Sequence, residues 1–268
     1  MNIVKASLEL FLRGKIMIDT HAHYDDRQYD NDRDGLLESI FQNGVSKIIT
    51  CATNFDNAED VLRLCEKHKN LYAAVGVYPH ETVLDKWDKS RFLDLLSHKK
   101  VVCVGEIGLD YHYDTAPRET QLEWIKNQLE VANEVNLPVT FHDREAHKDT
   151  MEILKKYRPK GAVHCFSGSV ELARETVKLG LYIGVGGVLT FKNARVLKQV
   201  VEDTSIEKIL LETDAPYMSP TPFRGKRNQS DYMIYIAEQI AQIKGMPVEE
   251  VIEVTSANAT ELFKFKEG

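Results

Sequence analysis

No apolar run in this 268-residue sequence is long enough to cross a bilayer as a helix, which takes about 20 residues. Its apolar stretches, such as LYAAVGVY (71–78), are far shorter. LELFL near the start is interrupted by an acid and no small-residue cleavage site follows, so residues 1–15 read poorly as a signal peptide. Cysteine is scarce. Cys51, Cys65, Cys103 and Cys165 form no CxxC pair, and a core of this size needs no disulfides. They are expected to be buried free thiols in a reducing cytoplasm. Positive charge is also short. The chain has 34 basic against 41 acidic side chains, a net charge of -7. That argues against wrapping DNA through a broad basic face, although a local basic cluster can still grip one or two phosphates. Linkers, low-complexity tracts and a Gly-rich phosphate loop near the start are all missing.

What is present is a regular alternation. Eight short runs rich in Val, Ile and Leu start near residues 15, 46, 71, 100, 137, 161, 181 and 207. They show little polar alternation, which is how strands buried on both faces of a parallel sheet read. Amphipathic helical patterns lie at 33–44, 57–70, 117–136, 146–157, 169–180, 193–203, 230–245 and 247–263. Asn57 is placed to cap the second of these, and Gly44 suits the end of the first. Eight βα units with right-handed crossovers close into a (β/α)8 TIM barrel, a single domain of about 250 residues. The helix at 247–263 is an extra C-terminal one.

In such a barrel the active site lies where strands end. The polar residues closing the runs are His21 and His23, His80, Glu106, His142, His164 and Asp214. A single His in an apolar stretch is more often a hydrogen-bonded core residue. A buried carboxylate needs a partner, and here five of the nine His gather with two carboxylates on one rim. Residues i and i+2 of an extended strand face the same way, so His21 and His23 aim at one point. Imidazole with carboxylate suits a borderline divalent ion. Four His, one Glu and one Asp exceed the needs of one hydrolytic ion, and six ligands fit two ions bridged by a carboxylate.

DTHAH, VGVYPH, GEIGLDY, FHDREA, HCFSGS and LLETDAPYMSPTPFRGKRN follow one another in an order and spacing that resemble the TatD-type metal-dependent deoxyribonucleases, amidohydrolase-like barrels. The likeness spans residue 17 to about 265. It implies a hydrolase of phosphodiester bonds, most simply an exonuclease-type deoxyribonuclease, with two divalent cations (Mg, Mn or Zn). His21, His23 and Asp214 would hold one ion, His142 and His164 the other, and Glu106 would bridge. Asp214 would also act as general base. His80 would contact substrate. Arg224, Lys226 and Arg227, in PFRGKRN after the eighth strand, would bind phosphate.

The chain departs from the family pattern at Tyr78, where relatives often carry His. It departs again at Asp143, where a small hydroxyl residue is usual, and in RNQS, which replaces RNEP. Asp19 and Asp25 are expected to be structural or supporting residues. Glu212 is expected either to support a ligand or to pair with a Lys or Arg. Arg144 and Asp110 are further candidates, and Tyr111, Tyr113, Tyr217 and Phe223 could stack on bases. Two rivals stand beside this reading: a hydrolase of another ester, lactone or amide, and a non-enzymatic metal-binding scaffold. A monomer is plausible. Residues 1–15 precede the likeness and are expected to be a short additional helix or to reflect a start upstream of the true one at Met17.

Overall fold

The computed structural model describes residues 17–84, 86–113 and 115–266. The expected extension at residues 1–15 lies outside them. The eight apolar runs are eight parallel strands: β1 (Met17–Ala22), β2 (Val45–Cys51), β3 (Leu71–Val75), β4 (Val101–Asp110), β5 (Val139–Arg144), β6 (Gly161–Val163), β7 (Tyr182–Val185) and β8 (Ile209–Leu211). Their order in the sheet is their order in the chain. β8 returns to β1 through a parallel bridge between Ala22 and Ala215, and the Thr20 hydroxyl donates to Leu211 O at 3.0 Å. The result is a nearly closed (β/α)8 barrel, as its sequence pattern requires.

Around it run α1 (Arg33–Gln42), α2 (Phe55–Lys67), α3 (Lys89–Leu96), α4 (Arg118–Val135), α5 (His147–Tyr157), α6 (Val170–Lys178), α7 (Arg195–Asp203), α8 (Met233–Lys244) and α9 (Val248–Phe263). Gly44 has φ 99°, a left-handed conformation suited to glycine just past the end of α1. Two local details differ from the sequence reading. The cap of α2 is Asn54, whose side chain accepts from Asn57 N, so the helix starts earlier, at Phe55. Helix α3 has no counterpart among the expected helices. It is two turns long, too short for a clear period, but Phe92, Leu95 and Leu96 bury one face and Asp88 caps it.

Most of the core lies between strands and helices. A second apolar layer fills the barrel, with Ile18, Ile49, Tyr72, Val102 and Leu210 among its strand residues. Ala259 and Phe263 of the extra helix α9 belong to that layer. Burying a phenylalanine there contributes about 2–3 kcal/mol. The stable end of the barrel is therefore sealed by α9, and the other end is left to the strand-end polar residues. No helix among the described residues is long and apolar enough to cross a membrane.

Candidate active site

The six expected metal ligands converge. Backbone bonds lace the ends of β1 and β8 together: His23 N donates to Ala215 O at 2.7 Å and Asp214 N to His21 O at 2.9 Å. This brings His23 Nε2 within 3.5 Å of Asp214 Oδ1. Glu106 enters from β4 and is buried. Its Oε2 lies 3.4 Å from His21 Nε2 and 3.5 Å from His23 Nε2. Its Oε1 lies 2.9 Å from His142 Nδ1 and 2.7 Å from His164 Nε2. Those two imidazole nitrogens are 3.1 Å apart. Gly108 of the same strand has φ 152° and packs where a Cβ would meet His142 O at 2.0 Å, so only glycine lets β4 and β5 approach this closely.

Two sets of three donors stand close enough to hold an ion. The ligand atoms of His21, His23 and Asp214 all lie within 4.8 Å of one another, as do those of His21, Glu106 and His164. His21 Nδ1 faces the Thr140 hydroxyl at 3.0 Å, while its buried Nε2 has no hydrogen-bond partner. His23 Nδ1 donates to Cys51 O at 3.2 Å, which frees Nε2 for the cluster. Imidazoles whose second nitrogen is fixed in this way are typical metal ligands.

The charges favour a cation. Burial alone would raise the Glu106 carboxyl, but His164, His21 and His142 outweigh it and hold it well below the usual range. Burial pulls His23 down, yet its hydrogen bond to Asp214 and the charge of Glu106 prevail and push it up to about 10. His142 is pushed up to about 9 against burial by Asp110 and Glu106. His21, by burial first and then the neighbouring His164, is lowered to about 4. The carboxylates thus draw positive charge to two of the imidazoles, and a divalent ion competes for the same positions by displacing protons. The donor set fits a metal.

Supporting residues surround the cluster. Asp110, fully buried, stands 3.3 Å from His142 Nε2 and accepts from Tyr78 Oη at 3.1 Å. Tyr78, one of the departures from the family pattern, thereby shares the His142 partner. Asp19 is also fully buried, and accepts from the backbone amides of His21 and Thr213 and from the Ser230 hydroxyl at 3.2, 3.0 and 2.6 Å. Its role in joining β1 to the β8 end depends on contacts some 200 residues apart in sequence, which no local pattern reveals. Glu212 meets neither expectation. Its partner is the Cys165 amide, its carboxyl packs on Gly184, and burial raises its pKa well above the usual range. Cys51, Cys65 and Cys103 are buried free thiols, as expected, whereas Cys165 is only half-buried and lines the cleft.

Above the cluster opens a cleft of about 1080 Å³. His23, Glu106, His142, His164 and Asp214 form its floor. The expected phosphate-binding residues are not on its wall. Arg227 is held by Asp32 at 2.6 and 2.8 Å, donates to Gln28 O at 2.6 Å and lies over the Tyr29 ring. Arg224 stacks 3.9 Å over Phe191, and Lys226 lies near Phe223. His80 stands behind Tyr78 and Tyr113, with Nε2 3.5 Å from Asp110. The cations that do line the cleft are Arg144 and Arg195. Arg144 lies over the Tyr113 ring at 4.8 Å. Arg195 opens helix α7 in a segment with no motif, and nothing in the local sequence distinguishes it.

Comparison with known proteins agrees with this architecture. Residues 18–264 match the family described as TatD related DNase. The chain is 40% identical over 253 residues to the Bacillus subtilis protein named "uncharacterized metal-dependent hydrolase YabD", covering 93% of this chain and 99% of that one. It superposes on the crystal structure of YjjV, a TatD homolog from Escherichia coli, with a TM-score of 0.86 at 34% identity, covering 94% and 99% of the two chains. A TatD-family hydrolase of Entamoeba histolytica gives a TM-score of 0.83 at 26% identity, covering 94% and 99%. The chain belongs to the TatD-related family of metal-dependent hydrolases.

Proposed function

We propose that this protein is a divalent-metal-dependent phosphodiesterase, most specifically an exonuclease-type deoxyribonuclease. The observation that carries the reading is the position of Glu106, with one oxygen facing His21 and His23 and the other facing His142 and His164. A carboxylate so placed suits a bridge between two cations. His21, His23 and Asp214 would hold one, His142 and His164 the other, with Mg, Mn or Zn as the candidates. When bound, such cations supply Lewis acidity and lower the pKa of water.

The remaining chemistry falls to side chains of the chain itself. Asp214 is kept ionised by His23 against the effect of burial, so it is available to accept the proton of the attacking water. Glu106, also held ionised, faces both His pairs at once. Arg144 and Arg195 stand on the cleft wall and can offset the negative charge of the phosphoryl oxygens, Arg by a bidentate contact. Tyr113 and Tyr217 flank the opening, each about half exposed, where a base can stack. The family description, TatD related DNase, supports nucleic acid as the substrate class.

The test is hydrolysis of end-labelled single-stranded DNA by protein stripped of metal and then supplied with Mg, Mn or Zn in turn. Metal-dependent release of nucleotides from one end is the expected result. Turnover of lactones or amides without any phosphodiester hydrolysis would overturn the assignment. Binding of metal without turnover of any of these would leave a scaffold protein instead.

A further inference from the structure

The cleft wall is electrically uneven. Asp25 and Asp26 enter it after β1, and Asp143, beside Arg144, at β5. The part built from the chain after β7 and β8 carries Arg195 with Val188, Val196 and Met218. Residues 186–200 and 215–230 together hold Lys192, Arg195, Lys198, Arg224, Lys226 and Arg227 and no carboxylate, in a chain whose net charge is -7. Among the described residues, Arg227 alone of these six makes an ion pair, with Asp32.

The two segments form one surface. Thr221 N donates to Thr190 Oγ1 at 2.8 Å, and the Arg224 guanidinium lies 3.9 Å over Phe191. Phe191 and Lys192 sit in sequence between Val188 and Asn193, both of which line the cleft. The cations therefore begin at the cleft wall and continue past it. Apolar surface is interleaved with them: Val196, Tyr217 and Met218 are 51%, 48% and 45% exposed. Cations that follow a backbone, beside exposed aromatic and apolar side chains that meet bases, are the chemistry of single-strand binding.

We infer that a single-stranded oligonucleotide leaves the cleft over this β7–β8 wall. Bases lie against Val196, Tyr217 and Met218, and phosphates beyond the scissile one sit on Lys192, Arg224 and Lys226. This rests on the phosphodiester reading above, but it assigns PFRGKRN to flanking phosphates in place of the reacting one.

The test is the binding of fluorescein-labelled (dT)12 and (dT)2, read by anisotropy without added metal over a range of salt concentrations. The unaltered protein is compared with the triple variant Lys192→Ala, Arg224→Ala, Lys226→Ala. Each phosphate contact on a single strand adds about 0.7 to the slope of log K against log salt. The triple variant should bind (dT)12 about tenfold more weakly in low salt, with a slope shallower by about 2, and lose little affinity for (dT)2. Arg224→Lys alone should keep the full slope. An unchanged slope, or equal losses for both oligonucleotides, would overturn the inference. If the unaltered protein shows the slope but hydrolyses nothing, the proposed function fails and this surface stands. If it hydrolyses DNA and the variant keeps the slope, the surface fails and the function stands.

Discussion

His142 Nε2 lies 3.3 Å from Asp110 Oδ2, while its Nδ1 faces Glu106 at 2.9 Å. The register of β4 and β5 sets this arrangement, because Gly108 pairs with His142 and Asp110 with Arg144. With the Nε2 proton donated to Asp110, it is the Nδ1 proton that a metal displaces, and the freed lone pair points into the cluster. The carboxylate thus chooses the tautomer that can bind a metal. Asp110→Asn removes that choice, since an amide can present its own N–H to Nε2. Metal affinity should fall about 10–100-fold, measured by competition with a chromophoric chelator, and circular dichroism should stay unchanged. Unaltered affinity would show that Asp110 serves packing alone.

Asp214 and Glu106 carry the heaviest load in the proposed chemistry. Asp214→Asn keeps the shape and removes the proton acceptor, so kcat/KM on a phosphodiester should drop about 10²- to 10⁴-fold. Glu106→Ala should cost at least as much, because it removes the group that faces both His pairs. Both variants should fold, which thermal unfolding and circular dichroism can check. Full activity in either one would sink the hydrolytic assignment of this cluster.

The strands were legible because burial on both faces leaves a local mark, a run of Val, Ile and Leu. The metal-ligand candidates were legible because a barrel puts strand ends on one rim, so a His or an acid closing a run has only one place to go. Cations on loops carry no such constraint. PFRGKRN looked like a phosphate loop, but Arg227 is committed to Asp32, 195 positions away. Arg195 begins a helix in a segment without a motif, and nothing local marks it as a cleft residue. The same holds for the supporting bonds: Asp19 is visible beside DTHAH, but its partners Thr213 and Ser230 are fixed only by closure of the barrel.

Asp19 offers a test of that closure. Its carboxyl satisfies two backbone amides, those of His21 and Thr213, in a fully buried position. Removing one partner of a buried hydrogen bond costs about 1–3 kcal/mol. Asp19→Ala should therefore lower stability by about 3 kcal/mol, read as a reduced urea midpoint with unchanged slope. Because the same bonds hold His21 and the segment before Asp214, metal binding should weaken in parallel. A stable variant with intact metal affinity would mean that the β1–β8 junction does not depend on this residue.

Arg227 and Arg195 should separate stability from activity. Arg227 spans Asp32 with two contacts and covers the Tyr29 ring, and its bidentate, partly buried geometry is worth about 1 kcal/mol. Arg227→Ala should lower the melting temperature and change kcat/KM less than twofold. Arg195 makes no ion pair among the described residues and lines the cleft. A hydrogen bond from it to a charged phosphate is worth about 1.5–3 kcal/mol. Arg195→Ala should therefore reduce kcat/KM by about 10- to 100-fold and leave the melting temperature where it was. The opposite pattern, with activity lost in Arg227→Ala and kept in Arg195→Ala, would return the phosphate-binding role to the PFRGKRN loop.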